Sequence, residues 1–285
     1  MSADDSLYIA KNEFIEADNG VRYAYRRFGK ASETTPPLVC LQHFRGSMDS
    51  WDPEFIDPIA HGREVIVVDN TGVSLTSGTT PSTVQQMAAD AFAFIDSLEL
   101  PVVDLLGYSI GGFIAQEMVL TRPDRVRRLV LAGTGPAGAP GMHGWRADIS
   151  EHARRDEPDA SDFLYIFFAH TTGSRAAGEQ VLRRLYGRSA DRDAPTSLQT
   201  RDAQYDAIVQ WGIPDLTKLQ RLTAIRQPTL ILQGDNDLMI PTFGSHTLAG
   251  LIPQARLVLF ADAAHGSIFQ YAAEAAAEIN EFLDH

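Results

Sequence analysis

Short apolar runs alternate with helically periodic segments along most of the chain, and this alternation constrains the fold more than any other feature. Helical spacing of apolar residues is clear in "TVQQMAADAFAFIDSL" and "FIAQEMVLTRP". The alternation predicts an α/β fold, with a mainly parallel central sheet and helices on both faces. The six strand candidates are "PLVCLQ" (37–42), "EVIVVD" (64–69), "VVDLLG" (102–107), "RLVLAG" (128–133), "TLILQG" (229–234) and "ARLVLF" (255–260).

Both ends of the chain carry further local signals. Near the N-terminus, "EFIEA" and "VRYAYRRF" flank Asp18, Asn19 and Gly20, a turn that predicts an antiparallel hairpin. The last periodic segment, "SIFQYAAEAAAEINEFL", predicts one helix. Its apolar stripe consists of Ile268, Ala272, Ala276, Ile279 and Leu283.

One interval breaks the alternation. Residues 134–228 contain no strand candidate but show helical patterns around "DFLYIFFAH", "AAGEQVLRRLYG" and "SLQTRDAQYDAIVQW". A structureless loop of this length is uncommon in a compact domain, so we expect a helical cap inserted after the sixth strand. Residues 1–133 and 229–285 would then form the core domain.

The composition limits the partners. The formal net charge is −13 and the pI about 5.0, which disfavours nucleic acid and anionic lipid and leaves a small-molecule substrate. No stretch approaches the ~20 apolar residues of a membrane span. The segment "MSADDSLYIAKNEF" lacks the basic and apolar regions of a signal peptide. The single cysteine, Cys40, excludes an intrachain disulfide, and we expect a cytoplasmic protein.

Polar side chains follow four of the predicted strands, and the first of them is followed by Gln42, His43 and Arg45 after "PLVC". Ser109 follows "VVDLLGY", Asp237 follows "TLILQG", and His265 follows "ARLVLF". Ligands of open parallel sheets bind at the carboxyl ends of the strands, so these groups are predicted to meet there. A serine is a weak nucleophile until a base removes its proton, a histidine suits that task near neutral pH, and a carboxylate orients the histidine.

Each of these residues has a purely structural alternative. Ser109 could cap a strand-to-helix turn, which Gly107 and Gly111 would allow. His265 could be a buried histidine with its hydrogen bonds satisfied. Asp235, two residues before Asp237, could be the carboxylate instead.

Taken together, these segments resemble the α/β-hydrolase superfamily from about Asn12 to the C-terminus. The order serine, aspartate, histidine is the order of that family. Ser74 stands where the family often has the second glycine of a D-x-x-G-x-G-x-S turn. The matching positions are Gly107, Ser109 and Gly111 in "GYSIG", Gly234, Asp237 and Pro241 in "GDNDLMIP", His265 and Gly266 in "AAHG", and Asp69 and Gly72 in "DNTGVSLTSG".

The third strand is followed by a departure from the family pattern. The family usually has His-Gly there, whereas this chain has Gln42 and His43. The resemblance assigns the backbone N–H groups of Phe44 and Ile110 to an oxyanion hole. Since both donors are main-chain groups, the departure removes neither of them.

Five residues are candidates for the wall of a substrate pocket: His43, Arg45, Tyr108, Phe167 and Trp211. His43 could act as a second base or as a hydrogen-bonded structural residue beneath the oxyanion loop. Arg45 could hold a substrate carboxylate or form an ion pair with Asp49 or Asp69. The aromatic run 163–168 and Trp211 are expected to supply mostly core, with one or two rings reaching the site.

The resemblance implies a serine hydrolase of a small carboxylic ester or related acyl compound, with no metal or organic cofactor. Relatives with the same triad cleave carbon–carbon bonds, hydrolyse lactones or act as cofactor-free perhydrolases. Haloalkane dehalogenases and epoxide hydrolases of the superfamily use an aspartate where this chain has Ser109. A ligand-binding protein on the same scaffold is the alternative outside the enzymes.

Overall fold

The computed structural model describes residues 6–32 and 34–285. Met1–Asp5, on which the expected lack of a signal peptide partly depends, lie outside the described residues, as does Glu33. Eight strands are present: β1 (Glu13–Glu16), β2 (Arg22–Gly29), β3 (Leu38–Leu41), β4 (Glu64–Val68), β5 (Val103–Tyr108), β6 (Val126–Ala132), β7 (Thr229–Gly234) and β8 (Ala255–Phe260).

The α-helices are α1 (Pro53–Ala60), α2 (Val84–Ser97), α3 (Ile110–Thr121), α4 (Ala147–Ala153), α5 (Ala160–Phe167), α6 (Thr172–Leu185), α7 (Leu198–Trp211), α8 (Leu216–Gln220), α9 (Phe243–Leu251), α10 (Ser267–Gln270) and α11 (Ala272–Asp284). Short 3₁₀ helices cover Met48–Ser50, Pro123–Arg125 and Arg221–Ala224.

The eight strands form one sheet in the order β1-β2-β4-β3-β5-β6-β7-β8. β1 and β2 form the predicted hairpin, β2 pairs antiparallel with β4, and all pairs from β4 to β8 are parallel. The predicted α/β fold is confirmed. Every residue of β3, β5 and β7 is buried, since helices cover both faces of a parallel sheet.

Residues 134–228, all of which the structure describes, contain α4 to α8 and no strand. The predicted helical patterns correspond to α5, α6 and α7. That this segment is a separate cap domain stays a prediction. The segment leaves the sheet after β6 and returns at β7, so its two ends lie beside neighbouring strands.

The predicted last helix is divided in two. α10 ends at Gln270 and α11 begins at Ala272, because Tyr271 has φ −113° and ψ 48°, outside the helical range. Its hydroxyl donates to the carbonyl of Ala261, 2.8 Å away. The apolar stripe is nevertheless buried as expected, from Ile268 to Leu283.

Candidate active site

Ser109 lies on the tight turn between β5 and α3. Its φ of 57° and ψ of −119° are rare for a residue with a side chain and cost of the order of 1–3 kcal/mol. The flanking glycines permit the turn: a Cβ at Gly107 would meet the backbone of Gly111, and a Cβ at Gly111 would meet the carbonyls of Leu41 and Gln42. The serine therefore lies directly before α3, whose first turn packs against the end of β3 at Gly111.

His265 and Asp237 form a buried pair at the ends of β8 and β7. Nδ1 of His265 donates to Oδ2 of Asp237 at 2.8 Å, and neither side chain is exposed. The carboxylate also accepts from the N–H groups of Met239 and Ile240, each at 2.9 Å, and from the amide of Gln233 at 3.0 Å. These donors hold the carboxylate in one orientation, which in turn orients the imidazole.

Asp235, the alternative to Asp237, does not contact His265. Its carboxylate accepts from the Asn236 amide at 2.6 Å and from the N–H of Ala263 at 3.3 Å. It therefore stabilises the loop after β7 rather than the histidine.

The Nε2 atom of His265 is buried and bonds to no other described residue, Ser109 included. Since Nδ1 donates to Asp237, Nε2 is the nitrogen with the free lone pair in the neutral ring. Hydrogen bonds of catalytic groups are often long before a substrate binds. The ring is thus oriented with an available base, and no protein group competes for it.

Two main-chain N–H groups, that of Ile110 directly after Ser109 and that of Phe44 after β3, are also free of acceptors in the described protein. Within residues 6–32 and 34–285, the N–H groups of Phe44 and Ile110 donate to no other residue. Ile110 is the first residue of α3, and the first N–H groups of a helix have no intrahelical acceptor. Two donors can thus serve an oxygen that becomes negative.

Of the two roles weighed for His43 from the sequence, its contacts fit the structural one and not that of a second base. Its Nδ1 donates to the carbonyl of Phe44 at 2.8 Å, and its ring lies edge-on to Tyr108 and Phe167 with centroid distances of 5.3 and 5.0 Å. Burial lowers the pKa of His43 to about 3, so the ring is neutral at physiological pH. It both supports the main chain at Phe44 and lines the neighbouring cavity.

Arg45 forms neither of the predicted ion pairs. Its guanidinium donates to the carbonyls of Ala153 (3.5 Å), Arg155 (2.7 Å) and Asp156 (3.3 Å) at the end of α4. The two aspartates are engaged elsewhere: Asp49 pairs with Arg26, and Asp69 accepts main-chain N–H groups. Burial lowers the pKa of Arg45, with a contribution from nearby Arg201.

Two predicted pocket residues, Tyr108 and Trp211, do not line the cavity beside the histidines. Tyr108 is fully buried, its hydroxyl donates to the carbonyl of His265 at 2.8 Å, and its ring stacks on that imidazole at 5.4 Å. Burial raises the pKa of Tyr108, so it remains a donor. Trp211 stacks on Phe113 at 5.1 Å and donates to the carbonyl of Gly135. Both pack within the protein because their polar atoms find partners there.

The cavity has a volume of about 540 Å³ and lies between the strand ends and residues 134–228. Phe44 and His265 reach it from the core, and Phe163 and Phe167 reach it from α5. Two rings of the aromatic run thus line it. Ser109 is 2% exposed and is not part of the lining.

Sequence reasoning missed three residues that support this site. Gln233 donates to Asp237, while Gln204 and Thr196 hydrogen bond to the main chain of Arg45. Gln233 ends a predicted strand, which is a signal that could have identified it. Gln204 and Thr196 lie more than 150 positions from Arg45, and no local pattern marks them.

Among the residues that the structure describes, no three His, Cys, Asp or Glu side chains converge as a metal ion requires. In the same part of the chain, none of the helices combines the length and apolar character needed to cross a bilayer.

A family model described as "alpha/beta hydrolase fold" matches residues 36–271. An "Alpha/beta hydrolase fold protein" from Chitinophaga pinensis has a solved structure similar to this one. It superimposes with a TM-score of 0.92 and 41% sequence identity, over 98% of this chain and 99% of that one.

Two curated proteins are similar over shorter regions. A provisionally assigned 2-succinyl-6-hydroxy-2,4-cyclohexadiene-1-carboxylate synthase from Bacillus subtilis (strain 168) is 39% identical over 127 residues, or 43% of this chain and 44% of that protein. A 2-hydroxymuconate semialdehyde hydrolase from Pseudomonas sp. (strain CF600) is 27% identical over 194 residues, or 68% of this chain and 66% of that protein. The matches thus span less than two thirds of either curated relative.

Proposed function

The chain belongs to the α/β-hydrolase family, and on that premise we propose that it is a serine hydrolase of a small carboxylic ester or related acyl compound. The observation that carries the proposal is the buried Asp237–His265 pair, in which Nε2 of His265 is free of hydrogen bonds. Both residues follow the carboxyl ends of sheet strands, as does Ser109 on its strained turn. A constrained turn, an oriented base and a carboxylate are the parts that acyl transfer requires.

In the first step, Oγ of Ser109 attacks the ester carbonyl while Nε2 of His265 accepts the hydroxyl proton. The Oγ–carbon bond forms, and the carbonyl electron pair moves to the oxygen. Asp237 stabilises the imidazolium through Nδ1–H. The hydrogen bonds from Gln233, Met239 and Ile240 hold its oxygens in place during this step.

The negative oxygen is assigned to the N–H groups of Phe44 and Ile110. Both donors are free of acceptors in the described protein, so neither must break a hydrogen bond to serve the oxyanion. One such donor contributes about 3 kcal/mol to transition-state stabilisation in other enzymes. Since Ile110 begins α3, the helix dipole adds to the same stabilisation.

Collapse of the intermediate breaks the bond to the alcohol, which leaves with the proton from His265. Water then attacks the acyl-enzyme carbonyl, His265 accepts a water proton, and release of the acid returns that proton to Ser109. The cavity of about 540 Å³ lies within the usual range for small-molecule sites. Its apolar walls, including Phe163, Ile166 and Met239, suit a substrate with an apolar part.

A carbon–carbon bond or a lactone is the second candidate substrate. Similarity to the Pseudomonas semialdehyde hydrolase favours the former, and Arg45 lines the cavity as a possible carboxylate ligand. However, Arg45 already donates to three carbonyls of the segment around α4, which weakens its claim to that role. We therefore place ester hydrolysis first.

The test is labelling with a fluorophosphonate, followed by peptide mapping and by kinetics with p-nitrophenyl esters of graded acyl length. We expect one adduct, on Ser109, and ester turnover that falls at least about 1000-fold in Ser109→Ala and His265→Ala. Ser82→Ala is the matched control, since Ser82 is an exposed serine away from the strand ends.

Three outcomes would redirect the proposal. Turnover that persists in Ser109→Ala would remove the serine from the mechanism. A folded wild-type protein with no adduct and no turnover, but with a saturable thermal shift by a ligand recovered intact, would favour the binding-protein alternative. Turnover of a ring-opened dienoate without ester cleavage would favour the carbon–carbon hydrolase.

A further inference from the structure

Both main-chain polar groups of Arg45, the residue after the proposed oxyanion donor Phe44, are held by residues 134–228. The N–H of Arg45 donates to Oε1 of Gln204 at 2.7 Å. The carbonyl of Arg45 accepts from the hydroxyl of Thr196 at 2.8 Å. Gln204 lies on α7, and Thr196 precedes that helix.

The side chain of Arg45 points to the same segment. Its guanidinium donates to carbonyl oxygens at and beyond the end of α4, of which Arg155 is the nearest at 2.7 Å. A cation at the C-terminus of a helix is favourable, because the last carbonyls have no intrahelical donor. Within the part of the chain that the structure describes, all hydrogen bonds of Arg45 therefore go to residues 134–228.

Phe44 is attached to that segment as well. Its ring lies edge-on to Trp145 with a centroid distance of 5.1 Å, and Trp145 packs on Tyr205 of α7 at 5.0 Å. Phe44 is 6% exposed, so its ring is buried between this contact, the core and the cavity. The side chain of the proposed oxyanion donor and the main chain of its neighbour thus share the same support.

The other hydrogen bonds of this loop come from the loop itself and not from residues 134–228. The carbonyl of Phe44 accepts from the His43 ring, and the N–H of Gly46 donates to the carbonyl of His43 at 2.9 Å, so both bonds stay within the loop. Arg45 has φ +62°, a left-handed conformation that a residue with a side chain adopts at a cost. Such a conformation persists when outside contacts hold it.

Gln204 is well placed to act as such a contact. It is 2% exposed, and α7 is itself fixed to the core: the hydroxyl of Thr200 donates to the carbonyl of Gly72 at 2.7 Å, and Trp211 stacks on Phe113. The acceptor of the Arg45 N–H therefore has a fixed position relative to the sheet.

We infer that Gln204, assisted by Thr196, is a positioning residue that sets the orientation of the Phe44 N–H toward the oxyanion. Residues 134–228 thereby complete the catalytic geometry as well as covering the cavity. The inference rests on the proposed function, since it concerns the oxyanion of that reaction. Substrates that disturb the contact between α7 and Arg45 would be bound but turned over slowly.

The test compares Gln204→Met, which removes the acceptor at similar volume, with Gln204→Glu, which keeps it. A displaced oxyanion donor costs about 10- to 100-fold in rate, so kcat of Gln204→Met should fall by that factor with KM nearly unchanged. Gln204→Glu should keep most of the wild-type kcat, because its carboxylate still accepts from the N–H of Arg45. Gln210→Met is the matched control, because Gln210 lies exposed on the same helix.

A second readout separates positioning from a general structural role. Oγ of Ser109 adds to the carbonyl of a trifluoromethyl ketone, and the adduct carries an oxyanion. The affinity of the enzyme for this ketone should therefore fall in parallel with kcat/KM in Gln204→Met. Rates are normalised to active sites counted with the fluorophosphonate. If Gln204→Met does not fold, Thr196→Val carries the test, with a smaller loss in the same direction.

The outcomes distinguish the two proposals. A wild-type protein without adduct or turnover overturns the proposed function and this inference with it. An active wild type whose Gln204→Met and Thr196→Val variants both stay within twofold in kcat and in ketone affinity overturns the inference alone. Loss of kcat and of ketone affinity together, with rescue by Gln204→Glu, supports it.

Discussion

The Asp237 carboxylate uses its two oxygens differently: Oδ2 accepts from Nδ1 of His265 at 2.8 Å and from the Gln233 amide at 3.0 Å, whereas Oδ1 accepts from the N–H groups of Met239 and Ile240. Because the two oxygens are not equivalent, an amide substituted here has one preferred orientation. Its oxygen takes the place of Oδ1, and its NH₂ group faces the histidine.

Asp237→Asn should therefore lower kcat by about 1000- to 10,000-fold without unfolding the protein. The NH₂ group donates to Nδ1, which moves the imidazole proton to Nε2 and removes the base. Ester kinetics with active-site titration measure the effect. Asp235→Asn is the control, since Asp235 does not contact His265, and equal losses in the two variants would contradict the assignment.

His43 gives the protein a pH-dependent stability. Its pKa is about 3 in the folded state, against an ordinary value of 6.5, so between those values the unfolded chain binds a proton that the folded chain does not. The free energy of unfolding then decreases as the pH falls from about 6.5 toward 3, by up to about 1.4 kcal/mol per pH unit.

Urea unfolding at pH 7 and pH 5 tests this effect. His43→Gln removes the titrating group, so the loss of stability between these pH values should be about 2 kcal/mol smaller than in the wild type. His61→Gln, at the end of α1 and exposed, is the control. Parallel stability curves for wild type and His43→Gln would contradict the prediction.

Ser74→Gly should stabilise the protein. Ser74 has φ +48°, a conformation that glycine adopts without strain, and its buried hydroxyl bonds to no other described residue. Relief of about 1–2 kcal/mol of strain exceeds the entropy cost of a glycine, so we expect a net gain of about 0.5–1 kcal/mol. Thermal unfolding measures it, and Ser82→Gly should instead destabilise.

Arg26→Met should cost about 3–5 kcal/mol of unfolding free energy. Arg26 is fully buried on β2 and bridges Asp49 at 2.7 Å and Asp193 at 2.6 Å. Its removal takes the arginine partner from the buried Asp193 and leaves Asp49 only the longer contacts with Arg188 and Arg192, at 3.8 and 3.7 Å. The next residue on the strand is the matched control. Arg27 pairs with Glu64 but is 36% exposed, so Arg27→Met should cost less than about 1 kcal/mol.

The local sequence determined the strands and helices and the order in which the candidate site residues follow one another along the chain. Apolar runs predicted β7 and β8 with the observed bounds. β7 is buried along its whole length, and such a strand needs an unbroken apolar run, whereas the edge strand β8 is only partly buried. The glycines beside Ser109 marked its turn, since only a missing Cβ admits the carbonyls of β3 there. The chain order of Ser109, Asp237 and His265 follows from where each strand ends.

The tertiary structure decided which side chains meet. It selected Asp237 over Asp235, buried Tyr108 and Trp211 away from the cavity, and directed Arg45 to α4 instead of an aspartate. The division of the last helix at Tyr271 was equally invisible in its apolar stripe.

The physical reason is the separation in sequence over which each interaction acts. Periodicity reports how one segment faces the core, but hydrogen bonds in loops depend on where distant segments come to lie. The hydrogen bond between Arg45 and Gln204 joins residues 159 positions apart, and no local sequence pattern around either residue predicts it. The sequence by itself thus determined the fold and predicted the candidate site residues, whereas the packing of residues 134–228 on the sheet decided the hydrogen bonds of Arg45.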